Sequence, residues 1–187
     1  KSSAASQQLL TLINDILDIS KIESGKLFLT YQTTSISSVF DTLTEIIKPL
    51  ALNKKITFTH NLHNIDYNYV STDKSRLEQI CLNLLSNAVK YTNEHGKINL
   101  DISEKKLNDE EVLLIIIVED NGIGMTKERL NQVRGGLTTK IEDSNDFYGL
   151  YNVNERIRLK FGEEYGLSID SVLQEGTCVE VWLPWES

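Results

Sequence analysis

DKSRLEQICLNLLSNAVKYT, residues 73–92, reads as a single helix. Leu77, Ile80, Cys81, Leu84 and Ala88 recur at three- and four-residue steps, and Leu82, Leu85 and Val89 widen that apolar face. Asp73 is the expected N-cap, and Ser75 with Glu78 has the spacing of a capping box. The other face carries a different message. Arg76, Asn83, Asn87 and Lys90 form a polar stripe, in which Asn83 and Asn87, four apart, stand one above the other. Asparagine is a poor helix former that favours caps and turns. Two of them in mid-helix, followed by a lysine, point to a polar cavity. An amphipathic surface helix that happens to carry asparagine is the plainer alternative.

Working outward, the next segment that constrains the fold is residues 112–118, an unbroken apolar run rich in β-branched residues. It predicts a central strand covered on both faces. Asp120-Asn121-Gly122-Ile123-Gly124 follows at once, and Thr126 then caps a short helix to about Val133. Residues 97–103 alternate through Ile98, Leu100 and Ile102, as a strand does. On the N-terminal side, residues 55–62 form an alternating strand with Ile56, Phe58 and His60 on one side, and a short strand falls near Tyr69 and Val70. Residues 35–52 read as a helix capped by Ser35, with Ile36, Val39, Phe40, Leu43, Ile46 and Ile47 as its buried stripe and Pro49 near its end. Residues 27–31 read as a short strand. Residues 2–24 carry apolar positions over more than half a helical circumference, which calls for partner helices, and Gly25 is a natural terminator. Beyond the glycine segment, residues 134–146 hold a glycine pair and no apolar period, so a mobile loop is expected. Residues 148–161 are helical with Leu150, Val153, Ile157 and Phe161 in register, and residues 166–172 and 177–183 make a closing hairpin. The expected architecture is α/β: a two-layer sandwich of a mixed β-sheet packed on helices, with one long bundle helix in front. The expected domains are residues 1–26 and 27–187.

The chain has 187 residues and a formal net charge of −8, with 40% apolar and 25% charged residues. Such an acidic balance argues against a phosphate-tracking groove for nucleic acid, which rests on clustered Lys and Arg. The two cysteines, Cys81 and Cys178, lie inside apolar patterns and read as buried free thiols of a reducing compartment, with a disulfide as the minority alternative. The longest uninterrupted apolar run, residues 112–118, is far too short to span a bilayer, and no signal peptide is visible. Membrane attachment is therefore expected only through segments of a longer parent.

Asp120 is the first residue with evident chemistry. A carboxylate at the C-terminal end of a buried strand sits where ligands are usually met. Ionised, it only accepts hydrogen bonds. It suits an exocyclic amine such as that of adenine and disfavours guanine, which presents a carbonyl there. Gly122 and Gly124 let the backbone approach a flat ligand. An ordinary Asp-Asn-Gly turn is the plain alternative, but the segment joins a strand to a helix and is not a hairpin. Asparagine side-chain oxygens can ligate Mg²⁺, Lys90 can meet phosphate as a point charge, and Gly149 opens a helix whose free N–H groups favour an anion.

These motifs resemble the ATP-binding catalytic domain of sensor histidine kinases, within the gyrase/Hsp90/histidine kinase/MutL ATPase superfamily. NLLSNAVKYT is similar to the N box and EDNGIGM to the first glycine box. YGLYNVNERI resembles the end of the second glycine box, EGTCVEVWLP the closing hairpin, and LINDILDISKIESGKL the second helix of the dimerisation and histidine-phosphotransfer bundle. The resemblance implies a Bergerat-type ATP-binding fold using ATP and Mg²⁺. It implies that Asn87 ligates Mg²⁺, Asn83 supports the phosphates, Lys90 contacts phosphate and Tyr91 lies near the sugar, with Asn83, Asn87 and Lys90 as the catalytic set. It implies that Asp120 accepts from the adenine amine, that Gly122, Ile123 and Gly124 line the base pocket, that Gly149 and Leu150 offer phosphate contacts, and that Thr177 lies by adenine. It also implies a receiver domain of a response regulator as partner, a homodimer through the N-terminal helix, and a cytoplasmic module of a bacterial membrane-bound sensor.

The chain departs from the family in places. Asn145 and Phe147 stand where further glycines usually precede the Gly149-Leu150 pair, and the phenylalanine motif between the glycine boxes is not recognisable. None of the three histidines, His60, His63 and His95, lies in the N-terminal helix, so the phosphoacceptor is expected outside this chain. His60 and His63 lack a third metal ligand nearby and read as structural. Asn83 occupies the position where hydrolytic members usually place a water-activating Glu, which favours transfer over hydrolysis. A degenerate nucleotide-binding or interaction module of the same fold is the alternative.

Overall fold

The computed structural model describes residues 30, 32–66, 68–108, 111–137 and 148–186. By its contacts the chain divides into two units, Lys1–Thr30 and Tyr31–Ser187, and the elements below belong to the second. The helix expected over residues 2–24 and nearly all of the strand expected over 27–31 lie outside the described residues. The first described strand is β1, Gln32–Ser35, which pairs antiparallel with β3, Tyr69–Thr72, in a small separate sheet. The main sheet has five strands: β2 (Thr57–His63), β4 (Lys97–Lys106), β5 (Glu111–Asp120), β6 (Gly166–Val172) and β7 (Gly176–Glu186), in the order β2-β4-β5-β7-β6. β2 runs parallel to β4 and every other pair is antiparallel, so the sheet is mixed.

Four helices accompany these strands among the described residues: α1 (Ile36–Asn53), α2 (Lys74–Tyr91), α3 (Lys127–Gly136) and α4 (Tyr148–Phe161). Each of the first three starts at a side-chain cap. Ser35 accepts from Ser38 N, Asp73 from Arg76 N and Thr126 from Arg129 N, all at 3.2 Å, satisfying amides that a helix start leaves unpaired. Asp73 caps α2 without the capping box. Ser75 is exposed, and Glu78 turns towards Lys74, with 3.7 Å between Nζ and Oε1.

One face of the sheet carries the core. Ile98, Leu100, Ile102, Ile116 and Val181 are buried beneath Ile36, Leu43, Leu77, Cys81 and Leu85 of α1 and α2. Burial of each such aliphatic side chain contributes roughly 1.5–3 kcal/mol. α1 rotates its stripe slightly from the expectation: Thr44 is buried and Ile46 is 43% exposed. The 3.6-residue period places Val39, Leu43 and Ile47 on one line, and Ile46 falls at its margin. β5 is central, as its sequence implies, but its cover is one-sided. Ile115 and Ile117 are only half-buried on the face away from the helices, beside Asp101 and Trp182. A β-branched run thus marks the middle of the sheet without requiring two helical layers. α3 also continues through Gly135 and Gly136, three residues past Val133, and its cap residue Leu137 is buried. Residues 138–147, the bulk of the expected loop, lie outside the described residues. Among the described residues, no helix is long and apolar enough to cross a membrane.

Candidate functional site

The glycine segment after β5 is held from three sides. Asn121 N donates to Lys97 O at 3.1 Å, and Asn121 Oδ1 accepts from Lys97 N at 2.6 Å, which ties the segment to the start of β4. Ile123 N donates to Tyr91 O at 3.2 Å, at the end of α2. Ile123 O accepts from Gln174 N at 2.8 Å, in the turn between β6 and β7. A rigid edge results, and Asp120 is its first residue.

The glycines are required by this clamp. A Cβ on Gly122 would collide with the carbonyl oxygen of Tyr91, and one on Gly124 with that of Val172. Gly124 also sits at φ +57°, and Gly176 at φ +124° with the carbonyl oxygen of Asp120 in the space a Cβ would need. These glycines thus also permit a close approach between segments of the chain's own backbone.

Between α2, α3 and the C-terminal end of β5 lies a cavity of about 340 Å³. Its floor is apolar, with Val118, Ile169 and Val179 from the sheet and Leu84 and Ala88 from α2. It sits above a small second core formed by Leu130, Val133, Leu137 and Ile169. Asp120 opens into this cavity at the strand end, and Thr177 stands opposite it in the β5–β7 register. The Asp120 carboxylate accepts from Gly122 N at 2.8 Å. Burial holds its carboxyl above the ordinary carboxylate value, partly countered by the backbone N–H groups of Gly122 and Thr177. The Thr177 hydroxyl shares a 3.0 Å hydrogen bond with that of Ser171.

Seven of the residues expected at the site meet on this lining: Asn87, Tyr91, Asp120, Ile123, Gly124, Leu150 and Thr177. The same lining does not include Asn83, Lys90 or Gly122. Asn83 is half-buried one turn before Asn87, and Lys90 stands over the Tyr91 ring with Nζ 4.8 Å from its centroid. Gly122 is buried beneath the lining, and Gly149 lies in the first turn of α4. The end of α2 that presents these groups is itself anchored: Lys54 Nζ donates to Val89 O at 2.8 Å and to Lys90 O at 2.9 Å.

Several lining residues were not expected. Arg129 and Val133, four residues apart on α3, and Met125, just ahead of its cap, all line the cavity. The spacing was visible in the sequence, but a ten-residue helix ordinarily spends its apolar stripe on the core. Leu173 closes the mouth from the β6–β7 turn, a placement that only the hairpin's pairing determines. His60, by contrast, is structural as expected: its ring packs edge-on against Phe40 at 5.1 Å. Both cysteines are free thiols, with Cys81 fully buried and pushed up to about 12 and Cys178 half-buried and pushed up to about 11, chiefly by burial.

Asn87 offers a metal one neutral amide oxygen. Among the described residues, no group of three or more His, Cys, Asp or Glu side chains is placed to hold an ion unaided. That donor set suits Mg²⁺ carried mainly by phosphate oxygens and water.

Residues 72–187 match the family model described as histidine kinase-, DNA gyrase B- and HSP90-like ATPase. The autoinducer 2 sensor kinase/phosphatase LuxQ of Vibrio vulnificus is 34% identical over 96% of this chain and 21% of its own length, so the chain spans about a fifth of that relative. Two solved structures share the fold. ShkA in complex with AMPPNP aligns at a TM-score of 0.72 with 21% identity, over 98% of this chain and 37% of that one. ThkA in complex with the response regulator protein TrrA aligns at 0.63 with 15% identity, over 96% and 48%. With a cavity bounded by the asparagine helix, the strand-end carboxylate and the clamped glycines, and with a family model covering that whole region, the chain belongs to the histidine kinase-, DNA gyrase B- and HSP90-like ATPase family.

Proposed function

We propose that the chain is the ATP-binding catalytic module of a two-component sensor histidine kinase, passing the γ-phosphate of MgATP to a histidine outside this chain for onward transfer to a response regulator. The observation that carries the reading is Asp120, a carboxylate at the end of β5 on a mainly apolar cavity that also receives Asn87. The sensor-kinase relative, the AMPPNP complex of ShkA and the response-regulator complex of ThkA support it. In this reading Asp120 accepts from the adenine amine, Thr177 and Ile123 bound the base, and Tyr91 lies near the sugar. Asn87, with Asn83, Lys90, Gly149 and Leu150, serves the phosphate end. Mg²⁺, when bound through Asn87, neutralises charge on the phosphates. The chain's own contribution is to fix the nucleotide so that an incoming imidazole meets the phosphorus in line. Asn83 cannot take a proton from water at neutral pH, so hydrolysis is disfavoured. The module works in the cytoplasm, and the full-length protein is a homodimer through the N-terminal helix.

The test is to mix the chain with ATP radiolabelled at the γ position and the parent's acceptor-histidine region. Label should appear on the acceptor as an acid-labile adduct and not on this chain, with negligible steady-state ATP hydrolysis. Binding without transfer would favour the degenerate module. Rapid hydrolysis in the absence of an acceptor would overturn the assignment to phosphotransfer.

A further inference from the structure

The cavity carries one group that the proposed function leaves without a role. Among the described residues, Arg129 is the single cationic residue on its lining. It is half-buried, in the first turn of α3, four residues before Val133, which also lines the cavity. Its Nη1 lies 3.4 Å from the neutral amide oxygen of Gln132, and its backbone N is held by the Thr126 cap. Lys90, the lysine expected to serve the phosphates, stands over the Tyr91 ring and does not line the cavity. The lining is therefore dipolar, with the carboxylate of Asp120 at the strand end and a guanidinium on α3.

We propose that Arg129 is a specificity-determining residue that contacts the phosphates of a nucleoside di- or triphosphate whose base is held at Asp120. The inference rests on the reading of the cavity as a nucleotide site. In a chain of net charge −8, a polyanionic ligand needs a local cation where it enters, and Asp120 in the same cavity makes that need sharper. A guanidinium meets phosphate oxygens through two parallel N–H groups, a geometry a lysine ammonium cannot reproduce. In this arrangement the base sits at Asp120 and the phosphates lie between Asn87 of α2 and Arg129 of α3.

Calorimetry with adenosine, ADP and ATP, on the wild-type chain and on the Arg129→Gln and Arg129→Lys variants, tests this. The wild type should bind ADP and ATP more tightly than adenosine. R129Q should lose about tenfold or more in ADP and ATP affinity, with adenosine affinity held within about twofold. R129K should recover part of the loss, and the advantage of ATP over adenosine should fall as salt is raised. A wild-type chain that binds ATP, paired with an R129Q variant whose ATP-to-adenosine ratio is unchanged, would overturn the role of Arg129 alone. An equal loss of adenosine and ATP in R129Q would do the same. A wild-type chain that binds none of the three would overturn the nucleotide site as well.

Discussion

Asp120 combines two opposing demands. Its carboxyl is held above the ordinary value by burial, so ionising it in the apo protein works against the fold. The sign follows from linkage. A carboxyl whose folded pKa exceeds its unfolded one favours the native state at low pH, and that contribution is lost as pH rises through the folded pKa. Asp120→Asn removes the charge and retains an oxygen for Gly122 N, so its apo melting temperature at pH 7 should equal or exceed that of the wild type. ATP affinity should fall at the same time by about 1.5–3 kcal/mol, the range for a charged hydrogen bond. In the wild type, ATP affinity should weaken as pH is lowered through a value above the ordinary carboxylate range. A D120N variant that melts several degrees lower would show that the carboxylate is structural. Asn87 is the second residue to test. Half-buried on the cavity side of α2, it should be replaceable by Ala with little change in melting, while the Mg²⁺ dependence of triphosphate binding disappears. A collapse of thermal stability without nucleotide would make the polar stripe part of the fold.

At the scale of elements, what could be read early was local. The caps at Ser35, Asp73 and Thr126 and the apolar face of α2 depend on contacts within four residues, and they stand in the structure as read. The pairing of β1 with β3 and the parallel ladder of β2 on β4 depend on segments some forty residues apart, and no local pattern encodes them. For the same reason Leu173 and the cavity-lining residues of α3 escaped notice as parts of the site. The clamp on the glycine segment is likewise an assembly of β4, α2 and the β6–β7 turn. Gly176 is its tightest point. At φ +124°, with the carbonyl of Asp120 in the space a Cβ would need, Gly176→Ala should destabilise the chain by about 1–3 kcal/mol or more through backbone strain and displacement. It should also reduce nucleotide affinity, because Asp120 moves with its own carbonyl. Chemical denaturation and a nucleotide titration on the same variant check both effects, and an unchanged denaturation midpoint would contradict the clamp.

At the scale of the molecule, the two units that the contacts separate invite separate experiments. A chain lacking residues 1–24 should keep its nucleotide affinity and lose any self-association, since the apolar face read in that segment is wider than one contact needs. Sedimentation of both forms at high concentration decides this, and identical monomeric profiles would count against a bundle helix. The proposed function requires that the cavity beside β5 selects an adenine nucleotide through Asp120. The most direct measurement is calorimetric titration of the wild-type chain and of Asp120→Asn with MgATP and with MgGTP. The wild type should bind MgATP at least about tenfold more tightly than MgGTP, and the substitution should erase most of that difference by weakening MgATP. Equal affinity of the wild type for the two nucleotides, or a preference that survives in Asp120→Asn, would contradict it.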